Sequence, residues 1–426
     1  MNYEATLEFA HKMDREDALS RFRDEYHIPK VNGQPSIYFC GNSLGLQPKR
    51  TQEYLEHEMK QWREMGVEGH FEGDTPWYES HARSKPALSK ILGAKEHEIV
   101  AMNNLTTNLH LMMVSFYKPE GKRTKIIMEG GAFPSDMYAV ESQVKFHGLN
   151  PENHVIEVSP REGEYLIRHE DIIEQIEKHG DEIAMVLFPG IQYYTGQVFD
   201  MKSITEAGHK AGAKVGFDLA HAAGNIIMKL HDWDVDCATW CSYKYMNSGP
   251  GNVSGLYVHE RYADDNELPR FAGWWGHDQD ERFQMLKGFK PMHGADGWQL
   301  ANQNVLALAA HQAALSLFEE AGIKNLREKS VKLTGYLEFM LNGLNDSVDE
   351  PIVEIITSSK PEERGCQLSL FVHKGGKELF KKLQEGGLIA DWREPNVIRL
   401  APTPMYNSFE DVYRLVTLME KVFKQF

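Results

Sequence analysis

Short apolar runs alternate with amphipathic stretches through the middle of the chain, and this alternation limits the possible folds more than any other feature. The runs predicted to be strands are residues 125–128, 184–188, 214–218, 238–242 and 255–259. Residues 168–178 and 201–211 lie between them and have the spacing of amphipathic helices. Strands that alternate with helices form βαβ units, so the pattern predicts an α/β fold with a mainly parallel sheet. Ligands of such sheets bind at the carboxyl ends of the strands.

The pattern changes after about residue 305. Residues 305–319 and 324–341 are predicted helices, and residues 366–372 and 397–400 are predicted strands. A closing amphipathic helix is indicated by apolar residues at helical spacing, which are Val412, Leu415, Val416, Met419 and Val422. We therefore expect three parts. These are an N-terminal segment (1–50) packed with the small domain, a large domain (51–305) and a small C-terminal α+β domain (306–426).

Composition excludes several partners. The chain of 426 residues has a formal net charge of −16, which disfavours binding to a nucleic-acid backbone. No apolar run approaches the roughly 18 residues that a membrane span needs, and the N-terminus lacks the basic and apolar regions of a signal peptide. The four cysteines, Cys40, Cys237, Cys241 and Cys366, are scattered and do not form a zinc pattern. We expect a cytoplasmic protein with reduced thiols, no membrane contact and no nucleic-acid partner.

Lys244 and Asp218 carry the chemistry. Lys244 follows the predicted strand 238–242, and Asp218 is the last residue of the predicted strand 214–218. Pyridoxal phosphate (PLP) requires a lysine amine that holds the cofactor as a Schiff base and a carboxylate that keeps its pyridine nitrogen protonated. The two residues at neighbouring strand ends therefore predict a PLP site. His221 forms an Asp-x-x-His pattern with Asp218, but further ligands at suitable spacing are lacking, so a metal site is the weaker interpretation.

Other motifs fit the same site, and two of them also have a purely structural explanation. Residues 103–108 are polar and precede an apolar helical run, so helix N-terminal amides there could bind a phosphate or only cap the helix. Phe133 and Asp136 follow the predicted strand 125–128, where an aromatic ring can stack on the cofactor. Arg399 lies within an apolar strand and suits either a substrate carboxylate or a structural ion pair.

Together these motifs resemble the kynureninase family. The matching segments are residues 41–48, 133–136, 194–197, 217–221, 241–245, 273–277, 363–368 and 406–409, which span nearly the whole chain. The resemblance implies the fold of aspartate-aminotransferase-like, fold-type I PLP-dependent transferases. It also implies a homodimer whose active sites are shared across the interface.

The resemblance assigns roles to individual residues. Lys244 is the Schiff-base lysine and, with Tyr243, the catalytic pair. The cofactor-binding set is Leu105, Thr106, Phe133, Pro134, Ser135, Asp136, Asp218, His221, Tyr243, Lys244, Trp274 and Asn302, of which Trp274 and Asn302 reach the site from the neighbouring subunit. Ser43, His70 and Asn302 correspond to positions near the aryl end of the substrate, and Arg399 corresponds to the arginine that binds its carboxylate.

The implied reaction is hydrolytic cleavage of the Cβ–Cγ bond of L-kynurenine to anthranilate and L-alanine, or of the 3-hydroxy substrate to 3-hydroxyanthranilate. Lys244 would move the α-proton, and Tyr243 would exchange a proton with the hydrated ketone. One departure from some relatives is Pro189, which replaces a serine and offers neither a hydroxyl nor an N–H. The sequence leaves open the preferred substrate, and it leaves open a biosynthetic role toward NAD or a degradative role in tryptophan breakdown. Another fold-type I reaction, such as desulfuration or transamination, and a non-catalytic PLP-binding protein are the rival functions.

Overall fold

A computed structural model of the chain describes residues 2–346 and 350–426. Its strands are β1 Lys30–Val31, β2 Gln34–Pro35, β3 Ile37–Tyr38, β4 Ile99–Ala101, β5 Lys125–Glu129, β6 Val155–Val158, β7 Ile183–Pro189, β8 Lys214–Asp218, β9 Cys237–Trp240, β10 Gly255–Val258, β11 Val353–Ile355, β12 Leu368–Val372, β13 Leu388–Ile389, β14 Asp391–Arg393 and β15 Val397–Leu400. Its α-helices are α1 Leu7–Glu16, α2 Thr51–Met65, α3 Lys85–Leu92, α4 Leu105–Phe116, α5 Pro134–Phe146, α6 Pro151–His154, α7 His169–Lys178, α8 Met201–Lys210, α9 Val305–Ala321, α10 Ile323–Asp346, α11 Gly376–Glu385 and α12 Phe409–Phe423.

Seven strands form the central sheet, in the order β4-β10-β9-β8-β7-β5-β6. Strands β6, β5, β7, β8 and β9 pair in parallel, whereas β10 is antiparallel to both β9 and β4. The prediction of a mainly parallel sheet is confirmed. The register pairs Pro189 with Asp218, so β7 and β8 end level with each other. This shared edge of the sheet is where a ligand of a parallel sheet binds.

The central strands are apolar on both faces because helices cover both sides of the sheet. Every residue of β9 and β10 is buried, and so is every residue of β7 except Pro189. Helix α8 has its N-cap at Asp200, whose side chain accepts the N–H of Ser203, and it packs against β8. Burial of this kind contributes about 25 cal/mol for each Å² of apolar surface removed from water.

A second sheet, β11-β12-β15-β14, is antiparallel and lies in the C-terminal part of the chain. Its core includes residues of α10 and α12 together with Phe9, Ile37 and Phe39 from near the N-terminus. Strand β3 also pairs in parallel with β13, which ties residues 37–38 to the C-terminal part. The domain boundaries at residues 50 and 305 stay a prediction.

One predicted element boundary is wrong in a way that matters for the site. The strand predicted over 238–242 ends at Trp240, because the backbone turns back and Ser248 N–H bonds to the carbonyl of Ser242. Lys244 therefore lies on a turn beyond the strand. The helix cap predicted within residues 103–108 is confirmed, because α4 begins at Leu105 and the side chain of Asn104 caps it by accepting the N–H of Thr107.

The helices of the described residues include none that is both long enough and apolar enough to span a bilayer. The four cysteines are free thiols, of which Cys40 is half-buried and the other three are buried. The prediction of four unpaired thiols is confirmed.

Candidate active site

A cavity of about 370 Å³ opens at the carboxyl edge of the central sheet. Most of the predicted site residues line it, namely Ser43, Leu105, Thr106, Phe133, Ser135, Asp136, Asp218, His221, Tyr243, Lys244 and Arg399. These positions are separated by up to 356 residues in sequence, as between Ser43 and Arg399. The fold therefore brings the predicted cofactor and carboxylate residues into one cavity.

Lys244 and His221 meet in the cavity. Lys244 Nζ lies 3.0 Å from His221 Nε2 and 5.9 Å from the centre of the Phe133 ring. Burial lowers the pKa of His221 well below its ordinary value, and the nearby Lys244 and Arg399 lower it further. His221 is therefore neutral and accepts a hydrogen bond from the lysine amine.

Asp218 is held at the end of β8. Its side chain is buried, and its Oδ1 accepts the backbone N–H of Ala220 at 2.6 Å. Burial raises the pKa of Asp218, while hydrogen bonds from Asp136 and Ala220 and the proximity of Lys244 oppose that rise. A cationic pyridine nitrogen placed beside this carboxyl would supply the opposite charge that a buried carboxylate needs.

Two further carboxyl groups accompany Asp218. Asp136 lies in the first turn of α5, and Glu129 is the last residue of β5. Burial and then the charge of Asp218 raise the pKa of both well above their ordinary values. Glu129 Oε2 has no hydrogen-bond partner among the described residues. Sequence analysis missed Glu129, although its place at the end of a predicted strand was a usable signal.

The start of α4 suits an anion. The first N–H groups of a helix have no partner within the helix, and Asn104 satisfies only that of Thr107. The amides of Leu105 and Thr106 remain at the cavity wall, where the positive end of the helix dipole adds to them. The residues present therefore fit PLP, with an amine, a carboxylate, an aromatic ring and a phosphate cradle around one cavity.

Tyr243 lies beside Lys244 and Cys241 and lines the cavity. Burial raises the pKa of its phenol, and the adjacent Cys241 raises it further. The phenol is therefore neutral and can donate a proton. Burial also raises the pKa of the Cys241 thiol, which is the opposite of what a nucleophilic thiolate requires.

Arg399 lies in β15 with its guanidinium almost fully buried. Its Nη1 donates to the carbonyl of Tyr193 at 2.7 Å, and its Nη2 donates to Ser43 Oγ at 3.2 Å and to Asp391 Oδ2 at 2.5 Å. Sequence analysis placed Ser43 near the aryl end of the substrate, but in this structure Ser43 contacts the arginine. Arg393, which also lines the cavity, and Asp391 were missed because no motif singles them out.

The remaining predicted site residues are Pro134, His70, Trp274 and Asn302, none of which is among the residues that line the cavity. Pro134 begins α5, and Pro189 lines the cavity next to Gly190, whose N–H donates to the carbonyl of Asp218. Trp274 is 44% exposed, and Asn302 is also exposed. Their predicted reach into the active site of a neighbouring subunit stays a prediction.

Among the described residues, no further metal ligand lies with Asp218 and His221. Within residues 2–346 and 350–426, the acidic, histidine and cysteine groups close enough to share an ion are Glu98, His231 and His259. These three do not line the cavity, and their ligand atoms already take part in hydrogen bonds.

Comparison with solved structures identifies the fold. A cysteine desulfurase from Thermococcus onnurineus matches 92% of this chain and 95% of its own, with a TM-score of 0.76 and 18% identity. A C-DES mutant with glycine covalently linked to the PLP cofactor matches 90% of this chain and 96% of its own, with a TM-score of 0.74 and 18% identity. The chain has the fold of the fold-type I PLP-dependent enzymes.

Sequence comparison identifies the family within that class. Kynureninases from Flavobacterium psychrophilum and Flavobacterium johnsoniae are 55% and 56% identical to the chain, each over 99% of both chains. The rat kynureninase is 47% identical over 96% of this chain and 92% of its own. The family model described as Kynureninase C-terminal domain matches residues 326–419. The chain belongs to the kynureninase family of PLP-dependent enzymes, as the motifs predicted.

Proposed function

We propose that the chain hydrolyses the Cβ–Cγ bond of L-kynurenine or its 3-hydroxy derivative, releasing L-alanine and the corresponding anthranilate. The observation that carries this proposal is the meeting of Lys244, Tyr243 and Arg399 around one cavity with Asp218. The lysine and the carboxylate serve the cofactor, whereas the tyrosine and the arginine serve the substrate.

PLP supplies an electron sink that stabilises negative charge on the substrate carbons. We assign Lys244 as its covalent attachment point and Asp218 as the partner of its pyridine nitrogen. Leu105 and Thr106 would bind the phosphate at the start of α4, together with the hydroxyl of Tyr243. Residues 133–136 would lie along the ring, since Phe133 is already within 5.9 Å of the lysine amine.

The proton at the α-carbon is assigned to Lys244. With PLP bound, the amine of Lys244, when it is not attached to the cofactor, would remove and return this proton. His221 lies 3.0 Å from Lys244 Nζ and is neutral, so it can orient the amine without competing for the negative cofactor. Its Nδ1 has no partner among the described residues and is available to the bound cofactor.

The proton at the γ-carbonyl is assigned to Tyr243. Hydrolysis requires water to add to the ketone and the resulting diol to lose a proton as the carbon–carbon bond breaks. The neutral phenol of Tyr243 can donate to the ketone oxygen and then accept the diol proton. The side chain adjoins Lys244, so both protons are handled on the same side of the cavity.

We also propose that the enzyme is a homodimer with shared active sites. A cluster of exposed aromatic side chains supports it, because the ring of Phe283 packs against those of Phe71 and Trp274 and all three are exposed. Clusters of this kind commonly mark protein interfaces. Trp274 belongs to this cluster, and Asn302 is also exposed. Both residues could therefore contact a second copy of the chain. His70 or Asn302 would then orient the aryl ketone.

The place of the reaction follows from its chemistry. The proposed products connect it to tryptophan catabolism and, through 3-hydroxyanthranilate, to NAD biosynthesis. We propose a cytoplasmic location, which the four free thiols support because disulfides are rare in reducing compartments.

Cysteine desulfuration is less well supported, although solved desulfurases share the fold. That reaction needs a mobile, reactive cysteine at the cavity. Cys241 lines the cavity but is only 2% exposed, and burial raises the pKa of its thiol. A fold shared at 18% identity does not select the chemistry.

The direct test is to supply the purified protein with PLP and L-kynurenine and to follow the fluorescence of anthranilate. Cofactor-loaded protein should produce anthranilate and L-alanine in equal amounts. Lys244→Ala should abolish both the covalent cofactor, measured by mass spectrometry after borohydride reduction, and turnover. A cofactor-loaded wild-type protein that forms no anthranilate would refute the proposed activity.

A further inference from the structure

Two arginines and one aspartate form a charged cluster at the wall of the cavity. Asp391 and Arg399 are directly opposite each other on the neighbouring strands β14 and β15, and Arg393 is the last residue of β14. Asp391 Oδ2 lies 2.5 Å from Arg399 Nη2, and Asp391 Oδ1 lies 2.9 Å from Arg393 Nε. Ser43 Oγ donates to Asp391 Oδ2 at 2.5 Å. The aspartate is thus shared by both guanidinium groups.

The cluster carries an excess of one positive charge. Burial acts to raise the pKa of Asp391, but Arg399, Ser43 and Arg393 together hold it below its usual value, so the carboxylate is ionised. Each of the two guanidinium groups carries one positive charge. One of the two cations is therefore neutralised internally, and the other is left for a ligand.

Arg399 keeps a donor for that ligand. Its Nη1 and Nη2 groups bond to Tyr193, Ser43 and Asp391, but its buried Nε has no partner among the described residues. A buried N–H without an acceptor is costly, so this atom indicates a binding partner that the protein itself does not supply. A single carboxylate would satisfy both the donor and the remaining charge.

Arg393 belongs to the same electrostatic surroundings. The guanidinium carbons of Arg393 and Arg399 each lie 6.0 Å from the centre of the Tyr193 ring, and both side chains line the cavity. Both cations also lower the pKa of His221, which lines the same cavity. Without Asp391, two uncompensated cations would face any bound amino acid.

We propose that Asp391 sets the charge specificity of this site by neutralising one of the two positive charges of Arg393 and Arg399, so that the cavity accepts amino acids with one carboxylate and rejects dicarboxylic ones. This inference rests on the proposed role of Arg399 as the carboxylate-binding residue. Asp391 is a specificity residue that acts through the two arginines, and it does not take part in bond cleavage. Because Asp391 already neutralises one positive charge, the second carboxylate of a dicarboxylic ligand has no free cation to pair with.

The test compares two amino acids that differ by one carboxylate. Holoenzyme is titrated with L-alanine and with L-aspartate, and the absorbance of the bound cofactor reports the Kd of each. Asp391→Asn should lower the ratio of the aspartate Kd to the alanine Kd about tenfold, because it leaves a second cation for the side-chain carboxylate. Arg393→Gln should weaken binding of both amino acids about tenfold, because Asp391 then neutralises Arg399.

The double variant Asp391→Asn, Arg393→Gln supplies the decisive control. It restores an excess of one positive charge. Its alanine Kd, and the ratio of its aspartate Kd to its alanine Kd, should therefore return to within about threefold of wild type. A purely structural role for either side chain would make the double variant worse than both single variants. Glu394→Gln is a matched control, because it also removes one negative charge, three residues after Asp391. Its side chain is exposed and paired with Lys377, so the ratio should not move.

Three outcomes would overturn the proposal. These are an unchanged ratio in Asp391→Asn, an equal change in Glu394→Gln, and additive losses in the double variant. Circular dichroism of each variant establishes that the fold is kept, and the Arg393→Gln result tests the proposal independently if Asp391→Asn does not fold. The readout is amino-acid binding, so it is informative even if the protein does not cleave kynurenine.

Discussion

Lys244 Nζ lies 3.0 Å from His221 Nε2, and burial holds the pKa of that histidine well below its ordinary value. The lysine that would carry the cofactor thus has a neutral acceptor beside it rather than a competing cation. His221 lies in the segment that follows β8, and Lys244 lies in the turn that follows β9. The parallel pairing of β8 with β9 brings these two segments side by side.

The first prediction concerns His221. His221→Leu removes the acceptor, so exchange of the substrate α-proton with deuterium should slow about tenfold, while His221→Gln should stay within about threefold of wild type. Because the pKa of His221 is lowered, this residue should not produce an acidic limb in the exchange rate between about pH 6 and pH 8. NMR of the substrate in D₂O measures both. A limb near pH 6.5 that vanishes in His221→Gln would contradict a neutral histidine.

The second prediction separates the two proton transfers. Tyr243→Phe should retain the cofactor, which Lys244 and the amides of Leu105 and Thr106 still hold, and should retain α-proton exchange. It should cleave kynurenine about 100-fold more slowly, because the γ-carbonyl loses its proton donor. The control is Tyr245→Phe, which removes a buried hydroxyl that has no partner among the described residues. It should keep both rates. Equal loss of exchange and cleavage in Tyr243→Phe would contradict the proposed role.

The third prediction concerns the protonation of Glu129. Burial and the neighbouring Asp218 raise its pKa well above the ordinary value, so the carboxyl should be neutral at pH 7. An interaction with Gln192 opposes this rise but does not outweigh it. Glu129→Gln should therefore bind PLP with a Kd within about threefold of wild type.

Infrared spectroscopy checks Glu129 directly. The carbonyl band of a protonated carboxylic acid should be present in the wild type and lose intensity in Glu129→Gln, whereas Glu141→Gln at an exposed position should leave it unchanged. If Glu129 were an anion, its replacement would remove a negative charge near the pyridine nitrogen and weaken PLP binding more than about tenfold.

The fourth prediction concerns stability and pH. Asp236 is buried, and its carboxylate accepts from Val215 N–H at 2.7 Å, from the Tyr262 hydroxyl at 2.5 Å and from His209 at 2.8 Å. Burial raises its pKa, but the hydrogen bonds from His209 and Tyr262 outweigh this and leave the pKa below its ordinary value. Asp236→Asn should lower the free energy of unfolding by about 2 to 4 kcal/mol at pH 7.

The pH dependence of that difference follows from the sign of the shift. Because the folded-state pKa is lowered, the ionised carboxylate stabilises the fold fully above the unfolded pKa of about 3.9. Its contribution is lost as pH falls through the lower folded-state pKa. Urea unfolding of wild type and Asp236→Asn should therefore converge only at strongly acidic pH. Asp232→Asn, on an exposed side chain, should change stability by less than about 0.5 kcal/mol at any of these pH values.

The fifth prediction tests shared active sites. Lys244→Ala and Asn302→Ala should each be inactive alone. The two variants are then mixed in equal amounts and refolded together. If Asn302 serves the neighbouring subunit, about half of the dimers are heterodimers with one intact site each, so about a quarter of wild-type activity should return. Analytical ultracentrifugation checks the dimer. Recovery of no activity from a dimeric mixture would show that each chain supplies its own Asn302.

The sequence determined the class of fold and predicted Lys244 and Asp218 as cofactor residues. Alternating apolar runs and amphipathic stretches are local properties, and they predicted β7, β8 and β15 to within a residue or two. Lys244 and Asp218 follow such strands, and a parallel sheet places the ends of its strands at one edge. The central part of the site was therefore predictable without coordinates.

Only the tertiary structure decided what surrounds those residues. The contact of Ser43 with Arg399 joins positions 356 residues apart, and no local pattern sets such a distance. Asp391 and Arg393 look like ordinary charges on a short strand until the register of β14 and β15 puts Asp391 opposite Arg399. Glu129 likewise becomes a buried acid only because β5, α5 and β8 enclose it. Sequence patterns report periodicity along the chain, whereas burial and charge pairing depend on which segments pack together.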